Sequence, residues 1–255
     1  MDKIVFQFNN VGKPYLLIKV IEDGKVKSTG RTEFSRSQLE DNLPLFDESV
    51  EAINEFINRK NVERKKAVFL INAMENTKIT TTIPNMAERK LKKMYETELS
   101  SKLPNINDYD GMSVVSNGQG NKIFYEYIVD TKYRKFFEKI AETLGFEEVE
   151  VDYINSYLFS EITNNIKKKT FAYIYEEYGV SFLEVVIDGQ LCAFSSFVAN
   201  QGEYNLNVVS IIDKHIYGLE KAKIDTLYTN KDIECLEALN PIVNKYIIGG
   251  TFDEN

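Results

Sequence analysis

The Asp-Gly dipeptides at Asp23-Gly24 and at Asp188-Gly189 each stand between apolar runs of strand length. Such a pair supplies the left-handed backbone that a two-residue hairpin turn requires, so each marks two antiparallel strands. Around the first, residues 3–8 alternate with Ile4, Phe6 and Phe8 on one face, and residues 15–21 and 25–29 read as two further strands. Around the second, residues 171–175, 181–187 and 191–198 repeat the three-strand pattern. Helical and strand signals follow both. After the first come Leu45, Val50, Ile53, Phe56 and Ile57 near helical spacing within 35–60, with Pro44 breaking the front, and then the continuous apolar run 67–71 of a strand buried on both faces. After the second come a helix at 204–217, a strand at 224–228, a helix at 232–239 and a strand at 243–248. Two β-β-β-α-β units in 255 residues predict an α/β protein with duplicated lobes around a cleft.

A third region interrupts the first unit. Residues 78–83 alternate as a strand, and Asn85 with Glu88 three residues on predicts a capped helix over 86–102. Pro104 and the Asn/Asp/Gly-rich stretch 105–111 read as a loop, and 112–116 and 123–129 flank a hairpin at 117–120. Thr131 is placed to cap a helix that Gly145 ends. Its apolar stripe, Tyr133, Phe136, Phe137, Ile140 and Leu144, is expected to pack on the small sheet of this region. The expected boundaries are 1–76 for the first subdomain, 77–150 for an inserted α+β subdomain, 151–167 for a connecting helix and 168–255 for the second subdomain.

Charge and composition narrow the chemistry. The chain carries 31 basic and 39 acidic residues, net −8, and such a surface repels phosphate backbones. Nucleic acid is not expected as a partner. The basic run 59–66 reads as a solvated helix end before a buried strand. Cys192 and Cys235 form no CxxC pair, and His215 is the single histidine, so no Cys/His zinc set can be assembled. No stretch reaches the roughly 20 apolar residues of a spanning helix, and a reduced cytoplasmic setting fits the cysteine usage.

Three segments carry a family resemblance. The first reads Ile83-Pro84-Asn85-Met86-Ala87-Glu88, with Tyr95-Glu96-Thr97-Glu98 and Pro104 beyond. The second passes through Ile128-Val129, Leu144-Gly145-Phe146 and Val151-Asp152. The third, 171–197, is a strand, a DxG-type turn, a strand, the Asp-Gly turn and a strand. In order and spacing these resemble the type IV pilus assembly protein PilM and the cytoplasmic domains of the general secretion pathway L proteins, over about three quarters of the chain. The resemblance implies an actin-like ATPase (ribonuclease-H-like) fold: two lobes, an inserted small α+β subdomain, and a fourth subdomain that this chain is too short to hold.

In active members of that fold, two glycine-containing turns grip nucleotide phosphates through backbone N–H groups, and an Asp in each orients magnesium-bound water. Here the first turn, 8–14, has no Asp and contains Pro14, and Asn10 and Gly12 stand as its remnants. The second, Glu176-Glu177-Tyr178-Gly179, reads first as a plain exposed hairpin turn, and the second reading takes Glu177 and Gly179 as a relic of DxG. The Gly249-Gly250 pair of the adenosine site has no helix after it. The resemblance therefore implies a pseudo-ATPase with no catalytic residues, no metal and no ATP/Mg cofactor. It would be an adaptor peripheral to the inner membrane, linking a PilN-like bitopic partner's peptide to the assembly ATPase of a type IV pilus or type II secretion platform. It leaves room for a transmembrane segment after residue 255. Phe124, Tyr125 and Tyr127 are the candidate walls of the peptide groove. The alternative is a nucleotide-binding ATPase of the PilM type. A two-metal nuclease would need Asp152, Glu177 and Asp188 to converge.

Overall fold

The computed structural model describes residues 2–72, 76–103, 105, 108–117, 120–198, 224, 226–230 and 244–247. The elements run β1 (Lys3–Asn9), β2 (Tyr15–Glu22), β3 (Lys25–Glu33), β4 (Leu39–Glu40), β5 (Leu43–Pro44), α1 (Phe46–Lys60), β6 (Lys66–Asn72) and β7 (Asn76–Pro84). Next come α2 (Glu88–Lys102), β8 (Tyr109–Asn117), β9 (Asn121–Asp130), α3 (Lys132–Leu144), β10 (Glu148–Tyr153) and α4 (Ile154–Asn165). The last are β11 (Phe171–Glu177), β12 (Val180–Ile187), β13 (Gln190–Val198), β14 (Thr226–Thr229) and β15 (Asn244–Ile247). The helices expected at 204–217 and 232–239, together with His215, Cys235 and Gly249-Gly250, lie outside the described residues.

The chain divides into two compact units. The first takes its described residues from Met1–Met74 and Lys132–Ile162, the second from Glu75–Thr131 and Thr163–Ile248. In the first unit the sheet order is β10-β6-β1-β2-β3, with β1, β6 and β10 parallel and β2 and β3 antiparallel. Ile4, Phe6 and Phe8 share one face by the period of two, and all three are buried. That face is roofed by aromatic packing. Phe6 stacks on Phe69 at 4.7 Å, and Phe137 of α3 stacks on Phe69 at 5.2 Å and tilts against Phe8 at 5.5 Å. α1 joins α3 there through an edge-on contact of Phe46 with Phe136. Its Phe56 lies so close to Gly30 of β3 that a Cβ at Gly30 would sit 2.4 Å from the ring. On the opposite face, in line with Lys3, the Lys3 Nζ donates to the Tyr157 hydroxyl of α4 at 2.6 Å.

In the second unit the five-stranded sheet has the order β13-β12-β11-β14-β15, again with two antiparallel and two parallel pairings. The small sheet β7-β9-β8 is antiparallel throughout. α2 covers one of its faces through Leu91 and Tyr95, which pack with Met86 of the preceding loop around Ile83.

Several expectations change. Helix α1 begins only at Phe46, because 39–44 form a tiny hairpin around Asp41-Asn42, with Pro44 in its second strand. Asn85 is not a cap. α2 starts after Ala87, and the Asn85 N–H instead extends the hairpin ladder to the Gly120 carbonyl at 2.8 Å. The loop expected over 105–111 ends earlier, since β8 already begins at Tyr109. The largest correction concerns α3 and β10, which belong to the first unit and not to an insert ending at 150. The reason is topological. β6 and β10 are parallel neighbours, and such a pair needs a crossover helix that packs back on their own sheet. α3 is that helix, and the small sheet with α2 is an excursion made before it.

Candidate functional site

The first expected turn lies at the C-terminal end of β1, beside the end of β6, where open α/β sheets place ligands. Asn9 and Asn72 end these parallel strands in register. The Asn72 side-chain amide donates to Asn9 Oδ1 at 2.5 Å, and Asn9 Nδ2 donates to the Val11 carbonyl at 2.8 Å. Asn10 is fully buried. Its backbone N–H donates to the Asn72 carbonyl at 3.1 Å, and its side-chain amide donates to the Asn42 carbonyl at 3.2 Å and the Tyr133 hydroxyl at 3.3 Å. Gly12 takes φ +74°. Arg36 reaches over the turn and donates to the Gly12 carbonyl at 2.9 Å and the Asn10 carbonyl at 3.4 Å. The turn is thus stitched to β6, to the 41–42 hairpin and to α3. The Asn10 N–H, which a phosphate-gripping turn would offer to an anion, is spent on the protein's own carbonyl. Sequence reading singled out Asn10 and Gly12 and missed Asn9, Arg36, Asn42, Asn72 and Tyr133. The one local signal was an asparagine at the end of each of two buried strands.

The second turn is built differently. Tyr178 (φ +49°) and Gly179 (φ +76°) are the two central residues of a tight hairpin in which Glu177 pairs with Val180. Both residues in the left-handed region define the type I′ turn, whose twist matches that of the flanking strands. Glu177 is half-buried and Tyr178 is 43% exposed. Beside it, Asn230 closes a double hydrogen bond on the Glu176 backbone, accepting from its N–H at 2.9 Å and donating to its carbonyl at 3.0 Å. The two turns lie in different units, so each stands as its own local structure.

The three groove candidates all lie on β9, the central strand of the small sheet, so neither edge of that strand is open for strand addition. Phe124 is in register with Thr81, Tyr125 with Thr80 and Tyr127 with Lys78. Thr81 and Ile83 share the α2 side, where the Lys102 ammonium donates to Thr81 Oγ1 at 2.9 Å.

The carboxylates do not assemble into a metal site. Glu177 and Asp188 flank opposite ends of the eight-residue β12, roughly 25 Å apart at strand rise. Asp188 occupies a turn position at φ +53°, and its N–H donates to Thr170 Oγ1 at 3.2 Å. Asp152, at the end of β10, accepts from the Tyr153 N–H at 2.7 Å. Burial holds its carboxyl above the usual range, against the lowering effect of that bond and of Ser156. Among the described residues no group of three potential ligands comes together. The basic run is also structurally engaged. Arg64 donates to the Leu144 carbonyl at the end of α3 (2.8 Å) and to Asn54 (2.7 Å), and Lys66 pairs with Glu150 at 3.2 Å. No described helix is long and apolar enough to cross a membrane.

No protein-family model matches the sequence, and no curated protein matches it either. Solved structures do match. The cytoplasmic domain of EpsL, an inner-membrane component of the type II secretion system of Vibrio cholerae, aligns over 97% of this chain and 86% of its own, with TM-score 0.53 and 12% identity. The PilM–PilN type IV pilus biogenesis complex aligns over 95% of this chain and 73% of its own, with TM-score 0.58 and 8% identity. A Bacteroides thetaiotaomicron protein with an actin-like ATPase fold aligns over 97% and 90%, with TM-score 0.52 and 11% identity. At such identities the likeness is one of fold, and both classes that the sequence motifs resemble are among the structures sharing it. The chain has the actin-like ATPase fold.

Proposed function

We propose that this protein is a non-catalytic adaptor of a type IV pilus or type II secretion assembly platform, working on the cytoplasmic side at the inner membrane. The observation that carries the reading is the near full-length likeness to the EpsL cytoplasmic domain and to PilM in its complex with PilN. The state of the first turn supports it. Its Asn10 N–H, its Asn10 amide and its Gly12 carbonyl are bonded within the protein, and it has an asparagine where the fold's ATPases carry a magnesium-orienting carboxylate. Asn10, Gly12, Glu177 and Gly179 are on this reading remnants that shape turns.

The proposed partner surface is the small sheet, with the extended peptide of a single-pass membrane protein lying along the stretch of β9 that carries Phe124, Tyr125 and Tyr127. A peptide on a sheet face draws its affinity from side-chain pockets more than from a main-chain ladder. The platform's assembly ATPase would be held elsewhere on the same adaptor. A photo-crosslinking amino acid at Tyr125 or at Tyr127, in the full chain in its own cells, tests this. The expected product is an adduct with a single-pass membrane protein. Adducts with soluble proteins alone would overturn the assignment.

A further inference from the structure

We propose that the solvent face of α2 is a docking surface for an anionic lipid bilayer. Helix α2 buries Leu91 and Leu99 and half-buries Tyr95 on one side. At about 100° per residue, the opposite arc holds Arg89, Lys90, Lys93, Thr97, Ser100 and Ser101, with Met94 at its rim. Glu88 and Glu98 project outside this arc, and Glu96 stands at its other rim beside Lys92. The arc itself carries cations and hydroxyls on a chain whose net charge is −8. Lys92, beyond its edge, is near Glu96 at 3.9 Å. Arg89, Lys90 and Lys93 are exposed and form no ion pair among the described residues. At physiological salt a charge is felt over about 8 Å, so this local patch acts on a nearby surface despite the acidity of the whole.

The shape of the face favours a fluid headgroup layer over a peptide. The three hydroxyls one to two turns beyond the cations fold back on the helix: Thr97 donates to the Lys93 carbonyl at 2.9 Å, Ser100 to the Glu96 carbonyl at 2.7 Å and Ser101 to the Glu98 carbonyl at 2.7 Å. What remains is the convex surface of a helix, crossed by long flexible cations. Met94, 40% exposed, is the one apolar group that projects from it. The apolar stripe of α2 is used against β7, so attachment is electrostatic and shallow, not insertion.

This proposal rests on the membrane-side reading above, yet it is scored without any protein partner. The full chain is sedimented with vesicles of phosphatidylglycerol mixed into phosphatidylcholine, and with phosphatidylcholine alone, at low and at high salt. Binding is expected only to the anionic vesicles and only at low to moderate salt. Arg89→Ser, Lys90→Ser and Lys93→Ser together should lower the partition coefficient by about fivefold per cation, roughly a hundredfold in all, with the circular dichroism unchanged. A control pair on β3, Lys25→Ser with Lys27→Ser, should leave binding as it was. Equal binding by the triple variant, or no binding of the unaltered chain to anionic vesicles at low salt, would overturn the proposal. Either result would leave the peptide-adaptor reading standing, and a failed crosslink at Tyr125 and Tyr127 would leave the lipid surface standing.

Discussion

The two five-stranded sheets are copies in plan and differ where a ligand would matter. Both run antiparallel, antiparallel, parallel, parallel in the same order. Both turn from their second to their third strand through Asp-Gly in the left-handed region, Asp23-Gly24 and Asp188-Gly189. Both then carry a bulge at the same distance from that turn, between Val20 and Ile21 in one and Val185 and Val186 in the other. Four residues before each turn Asp sits a buried ionisable residue, Lys19 in β2 and Glu184 in β12, and neither is without a partner. The divergence comes at the first hairpin. In the first sheet it is a five-residue turn locked by asparagines, and in the second a two-residue turn of Tyr178 and Gly179. The two sheets share what twists and closes them, and their first hairpins differ in length and in what anchors them.

Changing Phe137 to Ala should have the largest effect, because the ring is 1% exposed and packs on both Phe8 and Phe69. A loss of about 3–5 kcal/mol is expected. Hydrogen exchange should report the damage in β1 and β6, while the small sheet keeps its protection. The opposite pattern would return α3 to the inserted subdomain.

A smaller effect sharpens the likeness of the two sheets. Gly30 pairs with Ile18, and the equivalent position in the second sheet is Ser195, paired with Leu183. Only Gly30 has an aromatic ring where its Cβ would go. Gly30→Ala should therefore cost about 1–3 kcal/mol by overpacking, whereas Ser195→Ala should stay within about 0.5 kcal/mol. Urea melts of the two variants compare them directly, and equal losses would mean that α1 does not press on β3 as described.

The smallest effect is a gain. Tyr178 is the one residue of the Asp23, Asp188 and Tyr178 set whose type is poorly suited to φ near +50°. Tyr178→Asn should stabilise the chain by about 0.5–1 kcal/mol. A loss on thermal melting would show that the ring has a role which the turn geometry does not reveal.

What the sequence made legible was local chemistry. Asp23-Gly24 and Asp188-Gly189 announce their hairpins because the turn type dictates the residues, and the alternation at Ile4, Phe6 and Phe8 announces its strand. What it hid was destination. The Tyr133 to Leu144 stripe states that α3 buries a face and not which sheet receives it, and the intervening excursion 75–131 pointed to the wrong one. Asn85 with Glu88 satisfied a capping pattern that the β7–β9 ladder overrode by recruiting the Asn85 N–H. The bond of Asn10 to Tyr133 spans 123 residues, and no periodicity encodes a partner at that distance.

The first turn of this actin-like fold is committed to the protein's own structure. Calorimetric titration of the full chain with Mg-ATP tests it most directly. The expected result is no saturable heat beyond dilution, both for the unaltered chain and for Asn10→Asp, because restoring one carboxylate does not free the Asn10 N–H from Asn72 or the Gly12 carbonyl from Arg36. A saturable site of micromolar affinity in the unaltered chain would contradict it.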